Sequence, residues 1–179
     1  MTREGLISTV GPVMQLAFTP RDFDAAVAHW TKTMGVGPFF YIDHAPIENV
    51  TFRGAPSNVD FGLAISYWGD IQIELIRQHN NAPSIYNSAP WAREGNALHH
   101  VCLMTDDIGK AENAVDAGGG DIVVRLDVVG GGRAIYADMG GGEGLVEVLE
   151  PGPGGAALFD QMRAAAAEWD GADPFRLLG

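Results

Sequence analysis

The chain of 179 residues is long enough for one domain or two small fused modules, and its 46% hydrophobic and 19% charged residues are typical of a globular protein with a real core. The formal net charge of -12 opposes long-range attraction to nucleic acid or to anionic membranes, so we expect neither as a partner. An anionic substrate would need a local basic pocket, and the candidates for it are Arg53, Arg77, Arg93 and Arg133.

The first residues, 1–5, lack the charged-then-apolar pattern of a signal peptide, and no apolar run reaches membrane-spanning length. These features predict a cytoplasmic protein. Cys102 is the only cysteine, which excludes an intrachain disulfide. Because it lies in an apolar strand, we interpret its thiol as a packing group.

The first predicted unit begins with a strand around Gln15, followed by a helix that Asp22 can cap. The helix has apolar residues at helical spacing from Phe23 to Met34 and ends at Gly35. Four strand-like segments follow, at residues 39–44, 49–53, 59–68 and 71–77.

The second predicted unit repeats this order, which becomes visible when Gln15 is set on His100. A strand around His100 precedes a helix that Asp107 can cap and that ends in glycines. Strand-like segments follow at residues 121–128, 133–138 and 145–149. We therefore predict two modules, at residues 1–77 and 98–151, each with a strand, a helix and a run of strands.

Two segments lie outside the repeat. Residues 78–97 are rich in Asn, Pro and Ser without a clear period, which predicts a linker with at most one helical turn. Residues 152–179 form a tail whose segment 156–169 has the composition of an Ala-rich helix. That helix could cover a pocket or a dimer surface, or simply pack.

Four polar residues lie in the middle of apolar strands: Gln15, Glu74, His100 and Glu147. Each one alternates with apolar or amide residues along its strand, so the face that carries it is not a solvated one. A buried carboxylate or imidazole costs several kcal/mol (order of magnitude) unless it is compensated. A single residue of this kind is more often a hydrogen-bonded core residue. Four at equivalent positions of a repeat favour a shared divalent metal ion.

This ligand set combines one neutral nitrogen with three oxygens, two of them anionic, and suits Zn, Co, Ni or Mn. Four protein ligands on an ion that accepts six leave positions for water or substrate oxygens. The predicted site is therefore catalytic rather than structural.

These residues resemble the vicinal oxygen chelate superfamily, which includes glyoxalases, bleomycin-resistance proteins and extradiol dioxygenases. The resemblance covers residues 12–151 and rests on the segments around Gln15, Asp22 and Gly35 and on the strands of His100 and Glu147. It implies an α+β fold in which paired βαβββ modules form a curved mixed sheet around a metal site. The superfamily places its ligands on the first and last strand of each module, which selects the same four residues.

Within the superfamily the chain resembles methylmalonyl-CoA epimerase-like and glyoxalase I-like members. The ligand order Gln, Glu, His, Glu resembles glyoxalase I, whereas the epimerase has His first and Gln second. The basic residues expected for glutathione are missing, since Thr19 and Asn96 occupy those positions. By strand position His100 is the ligand, and the resemblance implies a supporting or packing role for His99.

The resemblance implies a metal-dependent isomerase or epimerase that moves a proton on a carbon next to a carbonyl through a metal-stabilised enolate. Glu147 is the first candidate for the base and Glu74 the second. A metal-dependent lyase, an extradiol-type dioxygenase and a non-catalytic drug-sequestering protein remain alternatives. The expected partner is a small molecule with vicinal oxygens or a carbonyl, and we expect a homodimer.

Three further residues could act as acid or base groups from loops or strand edges: His44, Glu48 and His79.

Overall fold

The computed structural model of the protein describes residues 6–92, 97–141 and 144–178. Arg93 and Asn96, considered above, and the N-terminal segment 1–5 lie outside the described residues. The helical elements are a 3-10 turn (Ile7–Thr9), α1 (Phe23–Ala28) with a π-helical continuation (His29–Thr33), α2 (Ile108–Ala117) and α3 (Gly155–Ala167). The strands are β1 (Val13–Phe18), β2 (Phe39–Ile42), β3 (Ile47–Phe52), β4 (Ala55–Pro56), β5 (Phe61–Trp68), β6 (Ile71–Gln78), β7 (Leu98–Met104), β8 (Asp121–Val128), β9 (Gly132–Asp138), β10 (Leu145–Glu150) and β11 (Phe175–Leu177).

The described strands form one mixed sheet in the order β11-β2-β5-β6-β1-β7-β10-β9-β8-β3-β4. At its centre β1 and β7 pair antiparallel, and each pairs in parallel with the last strand of its own unit, β6 or β10. The halves β2-β5-β6-β1 and β7-β10-β9-β8 therefore mirror each other in order. This arrangement confirms the predicted α+β fold of paired βαβββ modules.

Local capping explains where the two repeat helices begin. The carboxylate of Asp22 accepts a hydrogen bond from the backbone amide of Ala25 at 2.9 Å, and that of Asp107 accepts one from Gly109 at 3.0 Å. The first helical segment ends at Gly35, whose φ of +68° suits glycine.

The repeat helices share one face of the sheet. Phe23 of α1 packs with Ile73 and Leu75 of β6, and α2 packs in the same way on β7, β9 and β10. Because strand residues alternate between faces, Gln72 and Glu74 of β6 point to the opposite side. We call that side the inner face.

One strand of the first unit pairs with the second unit. β3 lies antiparallel to β8, with Phe52 opposite Val124, whereas β2 and β5 pair with each other in the first half. The hairpin of β3 and β4 thus extends the sheet beyond the second unit. The division of the chain at residue 77 stays a prediction.

The segment predicted as a linker packs against the sheet. Ile85 and Trp91 are buried and share a hydrophobic cluster with Phe52 and Tyr136. Backbone hydrogen bonds from Ser88 and Trp91 close its turns. Apolar side chains at irregular spacing thus anchor a segment whose composition alone indicated a loop.

The C-terminal tail contains the predicted helix and covers the first unit. Met162 of α3 is buried against Ile65 and Tyr67 on the inner face of β5. Beyond the helix, β11 adds a parallel strand to β2. Trp169 lies so close to Gly37 that a Cβ there would stand 2.6 Å from the indole ring. No helix of the described part is long and apolar enough to cross a membrane.

We predict that Met162→Ala lowers the free energy of unfolding by about 2–5 kcal/mol, because it empties a buried site between α3 and β5. The matched control is Leu158→Ala on the same helix, where the side chain is 39% exposed and the expected change is about 0.5 kcal/mol. Urea unfolding of both variants measures the difference. Equal effects would contradict a tail that forms part of the folded core.

Candidate metal centre

The predicted ligands lie on the inner face where β6, β1, β7 and β10 run side by side. Ala17 of β1 stands directly between Glu74 of β6 and His100 of β7. Ala17 is fully buried, and its methyl group is short. The longer side chains on either side can therefore meet above it.

A second row crosses the same strands two residues away. Cys102 of β7 stands between Gln15 of β1 and Glu147 of β10. Burial, followed by the charges of Glu147 and Glu74, raises the pKa of the Cys102 thiol well above its usual range. The thiol thus stays neutral, and it underlies the site rather than packing far from it.

Three side chains converge above these small residues. The Nε2 atom of His100 lies 3.0 Å from Oε2 of Glu147 and 3.7 Å from Oε2 of Glu74. One potential ligand atom from each of the three residues falls within 4.8 Å of the others. All three are buried, with 1–8% of each residue exposed. Such a group matches the spacing of ligands around one cation.

The side chain of Gln15 completes the group with an amide. Its Nε2 donates to Oε1 of Gln72, and Nε2 of Gln72 donates to the Tyr67 hydroxyl at 2.8 Å. The buried Oε1 of Gln15 has no hydrogen-bond partner, and neither does Nε2 of His100. Buried polar atoms are normally satisfied, so two unpartnered buried atoms beside two carboxylates fit a bound cation.

The electrostatics of the group point the same way. Burial raises the pKa of Glu74 well above its usual range, the charge of Glu147 raises it further, and the hydrogen bond from Gln15 lowers it. Two carboxylates this close in a dry site repel each other strongly. A divalent cation, with the neutral donors of Gln15 and His100, would compensate both charges. The residues present therefore fit a divalent metal ion.

Two tyrosines that the sequence reasoning did not single out border the site. Tyr136 stands opposite Glu147 across the β9 and β10 pair, and its ring lies 5.1 Å from that of His100. Tyr86 comes from the segment that precedes β7, and the two hydroxyls share a hydrogen bond. Burial and then the nearby carboxylates raise the pKa of both phenols, so both stay protonated at neutral pH. Period-two parity in β9 could have identified Tyr136, but no pattern pointed to Tyr86.

The other predicted acid or base residues lie elsewhere. His44 contacts Asp60 at 2.8 Å, and Nε2 of His79 contacts the backbone carbonyl of Asp43 at 2.6 Å. Glu48 is exposed on β3. None of the three belongs to the buried group.

The predicted arginines that the structure describes, Arg53, Arg77 and Arg133, do not form a shared basic pocket. Arg53 lies over the ring of Trp91, and Arg133 binds Glu150 at 2.8 Å. Arg77 donates to the Tyr41 hydroxyl at 2.6 Å. Arg163 of α3, which the sequence reasoning did not single out, lies 5.3 Å over the ring of Tyr67 and borders the inner face.

Comparisons with known proteins agree with this geometry. The family model described as Glyoxalase/Bleomycin resistance protein/Dioxygenase superfamily matches residues 14–137. No curated protein sequence matches the chain significantly.

Among solved structures, methylmalonyl-CoA epimerase from Mycobacterium tuberculosis is similar with a TM-score of 0.54 at 16% identity, over 88% of this chain and 97% of that one. A hypothetical protein from Bacillus halodurans C-125 has a TM-score of 0.53 at 11% identity, over 78% of this chain and 93% of that one. A variant of the Streptomyces coelicolor epimerase in complex with 2-nitronate-propionyl-CoA has a TM-score of 0.50 at 15% identity, over 79% and 94%. At these identities the likeness establishes the fold alone.

We predict that Glu74→Gln stabilises the metal-free protein by about 1–3 kcal/mol, because it removes the repulsion between Glu74 and Glu147. Two like charges 4 Å apart repel each other by roughly 4 kcal/mol at an effective dielectric constant of 20, and we expect a part of that energy. The pKa of Glu74 is higher in the folded protein than in the unfolded chain. The contribution of protonated Glu74 to stability is therefore complete below the pKa of the unfolded chain and is lost as the pH rises through the pKa of the folded protein. The advantage of Glu74→Gln should therefore grow with pH. Urea unfolding with a chelator between about pH 5 and 9 measures it.

The matched control is Glu112→Gln, which removes an exposed carboxylate that pairs with Arg125. It should give no gain that grows with pH. A Glu74→Gln protein less stable than the parent at alkaline pH would contradict the repulsion between the two buried carboxylates.

Proposed function

The chain belongs to the Glyoxalase/Bleomycin resistance protein/Dioxygenase superfamily, also called the vicinal oxygen chelate superfamily, and we propose that it is a metal-dependent isomerase or epimerase. It would move a proton on a carbon next to a carbonyl of a small molecule. The observation that carries this proposal is the buried group of Glu74, His100 and Glu147, whose ligand atoms lie within 4.8 Å of one another. With Gln15 as the fourth ligand, the set suits Zn, Co, Ni or Mn.

The residues divide the work of proton transfer. When bound, a divalent cation would polarise the carbonyl oxygen of the substrate and acidify the neighbouring C–H bond. We assign the role of base to Glu147, because it is desolvated and close to the position of the substrate, and Glu74 is the second candidate. Tyr86 and Tyr136 keep their protons at neutral pH and can donate hydrogen bonds to a substrate oxygen.

The group is closed to solvent, which constrains how a substrate would enter. No member of the four exposes more than 8% of its surface. The segment that carries Tyr86 covers one side and α3 covers the inner face of β5. Entry would require one of these covers to move, and closure would then exclude water from the proton transfer.

The alternatives differ in the ligands they need. Iron oxygenases commonly use two histidines and one carboxylate, whereas the described group contains one histidine and two carboxylates. This composition favours the isomerase over an extradiol-type dioxygenase. A drug-sequestering protein would not need the buried carboxylates. A lyase would use the same ligands and is separated from an isomerase by its products.

We also propose a homodimer, because the described sheet ends in an edge strand and exposes apolar residues there, and the cytoplasmic location stays a prediction. Leu177 of β11 is 70% exposed and Phe175 is 39% exposed. Light scattering at micromolar concentration should give twice the monomer mass of 19.0 kDa, and Leu177→Lys should lower that mass. A parent protein that scatters as 19.0 kDa would refute the dimer.

We predict that Glu147→Gln lowers solvent deuterium exchange into the substrate by about two or more orders of magnitude, the usual scale for a lost general base. The assay uses metal-loaded protein and a panel of 2-oxo compounds, hydroxy-carbonyl compounds and acyl thioesters. Glu112→Gln is the control for a lost carboxylate outside the site. Near-normal exchange with Glu147→Gln would move the base to Glu74. No exchange with any compound by the parent would overturn the isomerase.

A further inference from the structure

A bulge in the central strand pair changes the direction of one histidine. His100 pairs with Ala17 across β1 and β7, but the next residue of β1, Phe18, pairs with Leu98. His99 is therefore the extra residue, which regular pairing would have placed opposite Phe18. Bulges re-aim side chains and occur next to functional sites. Here the bulge brings Nδ1 of His99 within 2.9 Å of Nδ1 of His100, although neighbours in a regular strand point to opposite faces.

The far side of the His99 ring is held by the backbone. Its Nε2 lies 3.1 Å from the carbonyl oxygen of Ile85, a buried residue in the segment before β7. A carbonyl oxygen can only accept, so Nε2 of His99 must carry the proton. The ring of Tyr86, 5.3 Å away, packs against the same imidazole. His99 is 1% exposed and is therefore fixed from both sides.

The polarity of this chain of hydrogen bonds constrains where His100 carries its proton. In a neutral His99 with its proton on Nε2, Nδ1 can only accept. The bond between the two rings then requires Nδ1 of His100 to donate. In a neutral His100 the second nitrogen, Nε2, then carries the lone pair, and it is the atom that faces Glu74 and Glu147. It has no hydrogen-bond partner among the described residues.

We infer that His99 is a positioning residue, which holds His100 in the tautomer that presents the Nε2 lone pair to the metal centre. This inference rests on the proposed metal site. The backbone carbonyl of Ile85 fixes the proton of His99, and His99 in turn orients His100. The segment predicted as a linker therefore influences which atom of a β7 residue is offered to the metal. Partners that orient a ligating histidine commonly contribute 10- to 100-fold, as an order of magnitude, to metal affinity.

The test compares His99→Phe, which keeps a ring but removes the acceptor, with His99→Asn, whose Oδ1 can accept from Nδ1 of His100. Ser66→Ala is the control for a buried substitution on β5, outside the hydrogen-bond chain. The readouts are imidazole ¹⁵N shifts of the metal-free proteins and zinc affinity by competition with a chromophoric chelator. The signals of His100 are assigned by their loss in His100→Ala.

In the parent and in Ser66→Ala, His100 should show the tautomer protonated at Nδ1. In His99→Phe it should shift toward the tautomer protonated at Nε2, and zinc affinity should fall by about 10- to 100-fold. His99→Asn should recover most of both properties. Equal losses in the two variants, or a larger loss in the smaller His99→Asn than in His99→Phe, would mean that packing rather than the acceptor matters and would overturn the inference.

The parent spectrum decides the matter even if a variant fails to fold. A His100 protonated at Nε2 in the parent would refute the role of His99. A parent with the expected tautomer but no zinc, cobalt, nickel or manganese binding would instead overturn the proposed metal site.

Discussion

The repulsion between two buried carboxylates is the constraint on which the rest of the site depends. Glu74 and Glu147 come from different halves of the chain, and the antiparallel pairing of β1 with β7 brings them together. Neither has an arginine or a lysine as a partner in the described part of the chain. A dry site with two negative charges is unfavourable unless a cation or protons neutralise it. The fold therefore holds a local cost that protonation of a carboxylate or a bound cation relieves.

The surroundings of the carboxylates are consistent with that reading. Ala17 and Cys102 are short residues between the longer ligands, so the strands leave room where the side chains converge. Gln72 and Tyr67 hold the amide of Gln15. Such support is what distinguishes a built site from a chance cluster, because ligands positioned by partners lose little entropy when an ion binds.

Much of this could be predicted from local patterns. The caps at Asp22 and Asp107 and the alternation along β6 and β10 are local signals, and the repeat located the four polar positions. The partner of β3, the three-residue strand β11 and the bulge at His99 could not be predicted, because they depend on pairing between distant strands. Tyr86 was missed for the same reason, since its segment has no period and is ordered only by packing against the sheet.

The charge of the predicted ligand set accounts for the choice of residues. Two carboxylates balance a divalent ion, so the remaining donors must be neutral if the buried complex is to carry no net charge. Gln15 meets this condition at any pH, and His100 meets it when its proton is on Nδ1. A third carboxylate in place of Gln15 would leave one uncompensated charge in the dry site. Proton transfer from a neutral substrate to Glu147 preserves the balance, because the carboxylate becomes neutral as the substrate becomes anionic. A buried site of this composition therefore suits reactions that move a proton inside it better than reactions that bring in a further charge.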